Sequence, residues 1–206
     1  MVIEMANKLV LIRHGTTGEG FHGRFVGSTD VPLSREGCSQ AARLSYIIQD
    51  MGQCTYISSP MKRAVETVRI ALRTSIHFDL DPDLREIDFG AFEGLSFEEI
   101  NSRYPKQVNG WTGLDRDFVF PKGESITDFL VRIRRVGNRM ASFETETVVV
   151  FTHGGVIRAL ICYFLGLKPS RYVLFDVDHA SVTTIRLFGK KGILAGLNNT
   201  SHLRDI

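Results

Sequence analysis

The chain has little of what marks a secreted, membrane-spanning or disulfide-rich protein. Its 206 residues include only three cysteines, Cys38, Cys54 and Cys162, which are too few and too scattered for a disulfide framework or a zinc site. No apolar run approaches the roughly 18 residues of a membrane span. The first residues show neither the basic nor the apolar segment of a signal peptide. We therefore expect a cytoplasmic protein without a membrane or metal partner.

The chain also has no large excess of positive or negative charge, because its 25 lysines and arginines nearly balance its 23 aspartates and glutamates, for a net charge of +2. No basic stripe alternates with aromatic residues, so the sequence predicts no nucleic-acid partner. The length fits one domain. We expect a single domain over residues 1–206, with a lid-like insertion at about 96–122.

What the chain does have is two apolar runs that each end in a histidine and a glycine. Residues 9–12 lead into Arg13-His14-Gly15, and residues 148–151 lead into Thr152-His153-Gly154-Gly155. Continuous apolar runs are typical of strands buried on both faces. Ligands of open α/β sheets bind beyond the carboxyl ends of such strands. If the two strands are parallel neighbours, the two imidazoles face each other at one edge.

Strand and helix patterns alternate through most of the chain, which predicts a mostly parallel sheet with helices on both faces. Serines and prolines mark several helix starts, and Gly166 marks a helix end. The predicted helices cover 34–50, a segment opening at 58–60, 96–104, 124–143 and 156–165. The predicted later strands cover 54–57, 76–80, 181–188 and 193–197, the last two forming a hairpin.

Residues 18–23 spell G-x-G-x-x-G, the pattern of a dinucleotide-binding turn. That turn requires a helix that opens directly at the glycines. Here the following residues have no helical period and run to Pro32. We interpret the stretch as a surface loop that forms a rim of the site.

Positive groups at three predicted strand ends indicate a site for a dianion. Arg63 lies in the first turn of a helix, where a cation is unfavourable unless an anion binds there. Arg13, His14, His153 and the Gly154 amide add to it. Phosphate fits best, because guanidinium forks match its oxygens. A carboxylate or sulfate ligand stays open, as does a purely solvated Arg63.

The nucleophile and the proton donor come from elimination among familiar patterns. The chain has no Cys-x5-Arg, no D-x-D-x-T and no G-x-x-x-x-G-K-[ST], so a neutral histidine is the remaining nucleophile. His14 fits, since Gly15 leaves room for a phosphorus atom to approach. Three carboxylates, Glu86, Asp88 and Glu93, are candidate proton donors, with a surface role as the alternative.

Five motifs follow one another along the chain: LIRHG at 11–15, SSPMKRA at 58–64, LREIDFGAFEG at 84–94, GES at 123–125 and THGG at 152–155. In this order they resemble the histidine phosphatase superfamily, in its phosphoglycerate-mutase-like branch. The resemblance implies a three-layer α/β/α fold. It also implies His14 as the nucleophile that becomes phosphohistidine and Glu86 as the proton donor. The implied phosphoryl-binding residues are Arg13, Arg63, His153 and Gly154.

Within this family the chain looks most like the cofactor-free phosphatases, such as the α-ribazole phosphatases, which implies no cofactor. It departs from the usual Arg-His-Gly-Glu-Thr-x-x-Asn, because Thr16 replaces the acid and Gly20 replaces the asparagine. The resemblance gives that asparagine a part in holding the phosphate. We expect Thr17 or a loop amide to compensate.

Three functions stay open at this point. The first is a phosphatase acting on a small organic phosphomonoester, the second a phosphoglycerate-mutase-type phosphoryl transfer, and the third a binding module without turnover. We expect substrate specificity in the loop around residues 21–25 and in the insertion around Arg103, Tyr104 and Trp111. The terminal hairpin offers an edge through which a homodimer could pair.

Overall fold

The computed structural model describes residues 8–73, 76–112 and 117–204. Within these residues the strands are β1 (Lys8–Arg13), β2 (Cys54–Ser58), β3 (Asp79–Leu80), β4 (Thr147–Thr152), β5 (Val182–Phe188) and β6 (Lys191–Asn199). They form one sheet in the order β3-β2-β4-β1-β5-β6. The first four strands of that order are parallel, and β5 and β6 run antiparallel. The predicted mostly parallel α/β sheet is confirmed.

Six α-helices flank this sheet in the described part of the chain. They are α1 (Arg35–Ile48), α2 (Lys62–Ala71), α3 (Phe97–Arg103), α4 (Pro105–Thr112), α5 (Ile126–Met140) and α6 (Gly154–Leu165). Serine hydroxyls cap α1, α3 and α5 by accepting a backbone N–H of the first turn. Gly166 ends α6 in the left-handed conformation, with a φ of 65°, which glycine adopts without steric cost.

The central strand β1 is buried on both faces, as its apolar run predicts. Leu9 and Leu11 pack into the cluster that contains α5 and α6. Val10 and Ile12 pack into the cluster that contains α1 and α2. Because successive side chains of a strand point to opposite faces, one apolar run joins both helical layers, and the three-layer arrangement follows.

The register of β1 and β4 positions the site. Arg13 pairs with Thr152, and the His14 backbone N–H donates to the Thr152 carbonyl at 2.9 Å. The two strands therefore end at the same level of the sheet. The histidine that follows each strand emerges at one edge, as the sequence predicts.

Three elements differ from their predictions. α2 begins at Lys62 rather than at 58–60, because Met61 is extended and acts as its N-cap. β3 has two residues instead of five, and both are exposed at the sheet edge. α4 is a helix that the sequence patterns did not predict. Of the predicted insertion, residues 113–116 lie outside the described part, and the rest contains α3 and α4.

In the described segments of the chain, no helix combines the length and the apolar character needed to cross a bilayer.

Candidate active site

His14 follows β1 and is held as a neutral ring with one free nitrogen. Its Nδ1 bonds to the Gly15 carbonyl at 2.7 Å, and a carbonyl only accepts, so the ring proton lies on Nδ1. Nε2 therefore keeps its lone pair, and the His14 side chain lines the cavity. Burial, with smaller contributions from His153 and Arg63, lowers the pKa of His14 well below its usual value. The ring is thus neutral and nucleophilic.

The glycine after His14 is required for a reason that differs from the expected one. A Cβ at Gly15 would lie 2.6 Å from the carbonyl oxygen of Gly37 in α1. The missing side chain thus lets α1 approach the strand end. The backbone N–H of Gly15 donates to Thr67 Oγ1 at 3.1 Å, and this bond fixes the turn that carries His14.

His153 lies beside His14, with 5.1 Å between the ring centroids. Arg63 Nε donates to His153 Nδ1 at 3.3 Å, so the ring proton lies on Nε2, which bonds to Ser59 Oγ at 2.8 Å. The ring is fully buried. Burial, and then the charges of Arg63 and Arg13, lower the pKa of His153 well below its usual value. His153 is therefore neutral and held by partners on both nitrogens.

Arg13 presents an unsatisfied donor to the site. Its Nη1 donates to the Val177 carbonyl at 2.6 Å, and its Nη2 donates to His179 Nε2 at 3.0 Å. Its buried Nε has no partner among the described residues, although an unpaired buried donor is costly. That Nε lies beside Gly154, where a Cβ would be 3.4 Å away. Burial lowers the pKa of Arg13 to about 10, so it stays charged.

Gly154 begins α6 next to this donor. Helix N-termini attract anions, because their first N–H groups have no partner within the helix. The Arg13 Nε–H and the start of α6 together form a place for an anion beside His14.

Arg63 is fully buried and does not line the cavity. Its Nη1 donates to the Thr29 carbonyl at 2.8 Å and its Nη2 to the Gly27 carbonyl at 2.7 Å. Together with the bond to His153, these contacts place Arg63 directly behind the two histidines. Contact of Arg63 and His153 with a phosphoryl group stays a prediction.

Of the three candidate carboxylates, Glu86 faces the cavity. Its Oε2 accepts the Gly155 N–H at 2.9 Å, and its Oε1 accepts the Ile87 N–H at 3.0 Å. Buried Arg132 supports the segment by donating to the Arg85 carbonyl at 2.6 Å, and Glu124 in turn holds Arg132 at 2.7 Å. The Glu86 carboxyl group is thereby aimed into the site from the start of α6.

Asp88 and Glu93 instead hold the loop that surrounds Arg63. Glu93 accepts backbone N–H groups of Gly27, Ser28 and Thr29 at 2.9–3.2 Å. Asp88 accepts the Ser28 hydroxyl at 2.8 Å. Both carboxylates thus fix the loop whose carbonyls bind the buried guanidinium.

The cavity has a volume of about 660 Å³ and extends well beyond His14. Thr17 lines it, as do the predicted loop residues Phe21, His22, Arg24 and Phe25. From the insertion, Trp111 lines the cavity. Arg103 is instead exposed, and Tyr104 packs against Phe92, with ring centroids 5.2 Å apart. The loop and Trp111 therefore line the cavity, and their part in substrate specificity stays a prediction.

Two residues that replace the usual motif take other positions. The backbone N–H and the hydroxyl of Thr16 both donate to Gln40 Oε1, at 2.9 and 3.0 Å. Gly20 is exposed. Thr17, the expected substitute, lies at the cavity wall, and its role toward phosphate stays a prediction.

Sequence reasoning missed His179, whose ring centroid lies 5.4 Å from that of His14. Burial and the charge of Arg13 lower the pKa of His179 to about 3, so its Nε2 accepts from Arg13. The available signal was topological: β5 runs antiparallel to β1, so residues just before it lie at the edge where β1 ends. Over residues 8–73, 76–112 and 117–204, no three His, Cys, Asp or Glu side chains converge as a metal site would require.

Several known proteins are similar to this chain in sequence or in fold. The phosphoserine phosphatase 1 of Hydrogenobacter thermophilus is 30% identical over 96% of this chain and 95% of its own. The solved α-ribazole phosphatase of Shigella flexneri has a TM-score of 0.84 at 25% identity, over 93% of this chain and 96% of its own. A mycobacterial glucosyl-3-phosphoglycerate phosphatase, solved with VO3, has a TM-score of 0.82 at 28% identity, over 95% and 100%.

The profile of the histidine phosphatase superfamily (branch 1) matches residues 9–200, nearly the full length over which the strands, the paired histidines and the Glu86 segment extend. The chain therefore belongs to branch 1 of the histidine phosphatase superfamily.

Proposed function

We propose that the protein is a phosphatase that hydrolyses a small organic phosphomonoester through a phosphohistidine on Nε2 of His14, without a metal ion. The observation that carries the proposal is the bond from His14 Nδ1 to the Gly15 carbonyl. It leaves Nε2 as the nucleophilic nitrogen of a ring that lines the cavity. Arg13 lines the same cavity, and its Nε–H has no partner in the part of the chain that the structure describes. Imidazole in this state attacks phosphorus near neutral pH.

In the first step the Nε2 lone pair forms a bond to phosphorus and the ester P–O bond breaks. The leaving oxygen takes a proton from the Glu86 carboxyl group, which lies at the same cavity. In the second step water attacks phosphorus, gives a proton to Glu86, and the P–N bond breaks to release phosphate. Over the two steps Glu86 gives one proton to the alcohol and regains one from water, so the enzyme returns to its starting state.

Positive groups supply the charge stabilisation that phosphoryl transfer needs. Arg13 and the Gly154 amide bind the phosphoryl oxygens in this proposal. In this proposal the His153 Nε2–H turns from Ser59 Oγ to an oxygen of the phosphoryl group on His14, whose ring centroid lies 5.1 Å from that of His153. The charge of Arg63 supports that arrangement from behind. This cationic set favours an anion directly and disfavours a metal cation.

Phosphate release from an aryl phosphate, in buffer with a chelator, tests the proposal. We expect release by the native chain, an acid-labile phosphoenzyme on rapid quenching, and neither with His14→Ala. Little net release, together with a bisphosphate-dependent isomerisation, would favour the mutase alternative. Binding of phosphate esters with no release would favour a binding module.

The relatives suggest which esters to assay first. Proteins named for phosphoserine, α-ribazole phosphate and glucosyl-3-phosphoglycerate resemble this chain at 25–30% identity, so these three substrates lead the panel. The homodimer and the cytoplasmic location stay predictions of the sequence. Light scattering of the native chain and of Ile193→Lys, in the edge strand β6, tests the dimer.

A further inference from the structure

The cavity extends beyond the reacting groups, and many of the side chains that line it there are apolar, beside the charged Arg24, Arg158 and Lys168. The side chains that form this aromatic wall are Phe21, Phe25, Ile87, Phe89, Trp111, Ile126 and Leu130. They come from the loop after β1, from the Glu86 segment, from α4 and from α5. None of them has a part in the phosphoryl-transfer steps above.

The rings of the aromatic wall hold one another in edge-to-face contacts. Phe25 lies 5.1 Å from Trp111 and 5.2 Å from Phe89, as measured between ring centroids. Phe120, which is fully buried, lies behind Phe89 and Trp111 at 5.2 and 5.8 Å. Phe25, Phe89 and Trp111 themselves are only partly buried. The wall is therefore built in advance of any ligand and keeps apolar surface facing the cavity.

We propose that the aromatic wall is a leaving-group subsite for esters whose alcohol carries an extended apolar or aromatic group, an inference that rests on the proposed phosphatase function. A small polar alcohol would leave the wall facing water. Each methylene group that becomes buried there should tighten binding by up to about fourfold. Binding energy from this part of the substrate can also hold the phosphate against His14.

A series of n-alkylphosphonates tests the subsite by binding alone. Trp111 is the single tryptophan of the chain, so its fluorescence reports on the aromatic wall. From methyl- to hexylphosphonate we expect a fluorescence change and a Kd that falls about two- to fourfold for each methylene. A Kd that does not change with chain length overturns the proposal.

Two neighbouring residues of α5 give a matched pair of variants. Leu130 lines the cavity, whereas Val131 lies outside it and is 44% exposed. Leu130→Ala should weaken hexylphosphonate about tenfold and leave methylphosphonate unchanged, and Val131→Ala should change neither. Equal effects of the two variants count against the subsite.

Turnover separates this proposal from the one on which it rests. A chain-length gradient in binding without release of phosphate from hexyl phosphate would leave the subsite standing and reject the phosphatase. Release of phosphate at the same kcat/KM from ethyl and hexyl phosphate would keep the phosphatase and reject the subsite.

Discussion

Arg63 donates its Nε–H to Nδ1 of His153 across 3.3 Å, and this contact decides which ring nitrogen of His153 holds the proton. A guanidinium has no acceptor atom, so Nδ1 accepts and the Nε2–H is left for Ser59 or for a phosphoryl oxygen. A buried arginine thereby prepares a neutral histidine as a hydrogen-bond donor.

Replacing Arg63 should destabilise the fold as well as the site. Arg63→Met leaves the Gly27 and Thr29 carbonyls without their donor, and we expect a loss of about 3 kcal/mol in the free energy of unfolding. Urea denaturation measures it. Lys62→Met is the control, because the Lys62 side chain is 63% exposed and should cost under about 0.5 kcal/mol. Equal losses would contradict the buried role of Arg63.

Glu86→Gln should slow esters with poor leaving groups by about 10²–10⁴-fold and spare those with good ones, because the amide cannot donate an acidic proton. The dependence of kcat/KM on leaving-group pKa measures this. Glu93→Gln serves as the control, since Glu93 holds the loop at 27–29. Its effect should be the same for both kinds of ester. If Glu86→Gln also slows both kinds equally, Glu86 is not the acid.

Gly155→Ala should imitate the loss of Glu86. A Cβ at Gly155 would lie 2.5 Å from Glu86 Oε1, so the carboxylate must leave its place at the start of α6. We expect a loss on alkyl phosphates of about 10²-fold, which is at the lower end for a missing general acid. In a Glu86→Ala background the same substitution should cost nothing further. An additive loss would show that Gly155 acts in some other way.

His179 should act through Arg13. His179→Leu removes the acceptor of Arg13 Nη2, which frees the guanidinium to turn, and KM for an aryl phosphate should rise about tenfold, the value of one charged hydrogen bond. His179→Gln keeps an acceptor at the same reach and should restore KM. Steady-state kinetics of the three proteins decide the matter. Failure of glutamine to rescue would point to a packing role.

Acid should destabilise the protein from about pH 6.5 downward. The folded pKa values of His14 and His153 lie well below the usual value, and that of His179 is about 3. Between pH 6.5 and those values the unfolded chain binds protons that the folded chain does not, so stability falls as pH falls. Each ring contributes up to about 1.4 kcal/mol per pH unit.

Urea denaturation at pH 5, 6 and 7 measures that slope. His179→Gln removes one of the three rings and should make the slope shallower by up to about 1.4 kcal/mol per pH unit. An unchanged slope would mean that His179 has the same pKa in the folded and in the unfolded chain.

The sequence predicts the centre of the site better than its surroundings. Buried parallel strands place their ends together whatever the side chains around them, so His14 and His153 could be paired from two apolar runs. The relative height of the two histidines along the sheet depends on the register of β1 with β4, in which Arg13 pairs with Thr152. Strand patterns alone do not define that register. Glu86 needed the resemblance, because Asp88 and Glu93 have the same chemistry and nearly the same position in the chain.

What the sequence did not predict depends on contacts between distant segments. α4 is short, and Val108 and Trp111 on it pack against the core cluster that contains Phe92 and Phe120. These contacts come from segments distant in the chain, so the local sequence pattern does not predict the helix. β3 loses length because it lies exposed at the sheet edge. His179 is remote from His14 in the chain, and its place depends on the antiparallel return of β5.

The loop at residues 27–29 binds the buried Arg63 with main-chain atoms. Glu93 accepts backbone N–H groups of the loop, and the loop carbonyls of Gly27 and Thr29 accept from the guanidinium. The path of the backbone therefore places the atoms that bind the guanidinium, and the contacts with Glu93 and Asp88 hold that path. Gly27 sets that path, since a Cβ there would lie 1.9 Å from the Ile87 carbonyl oxygen. A change in the backbone path of residues 27–29 would displace Arg63 and thereby the ring of His153 to which it donates.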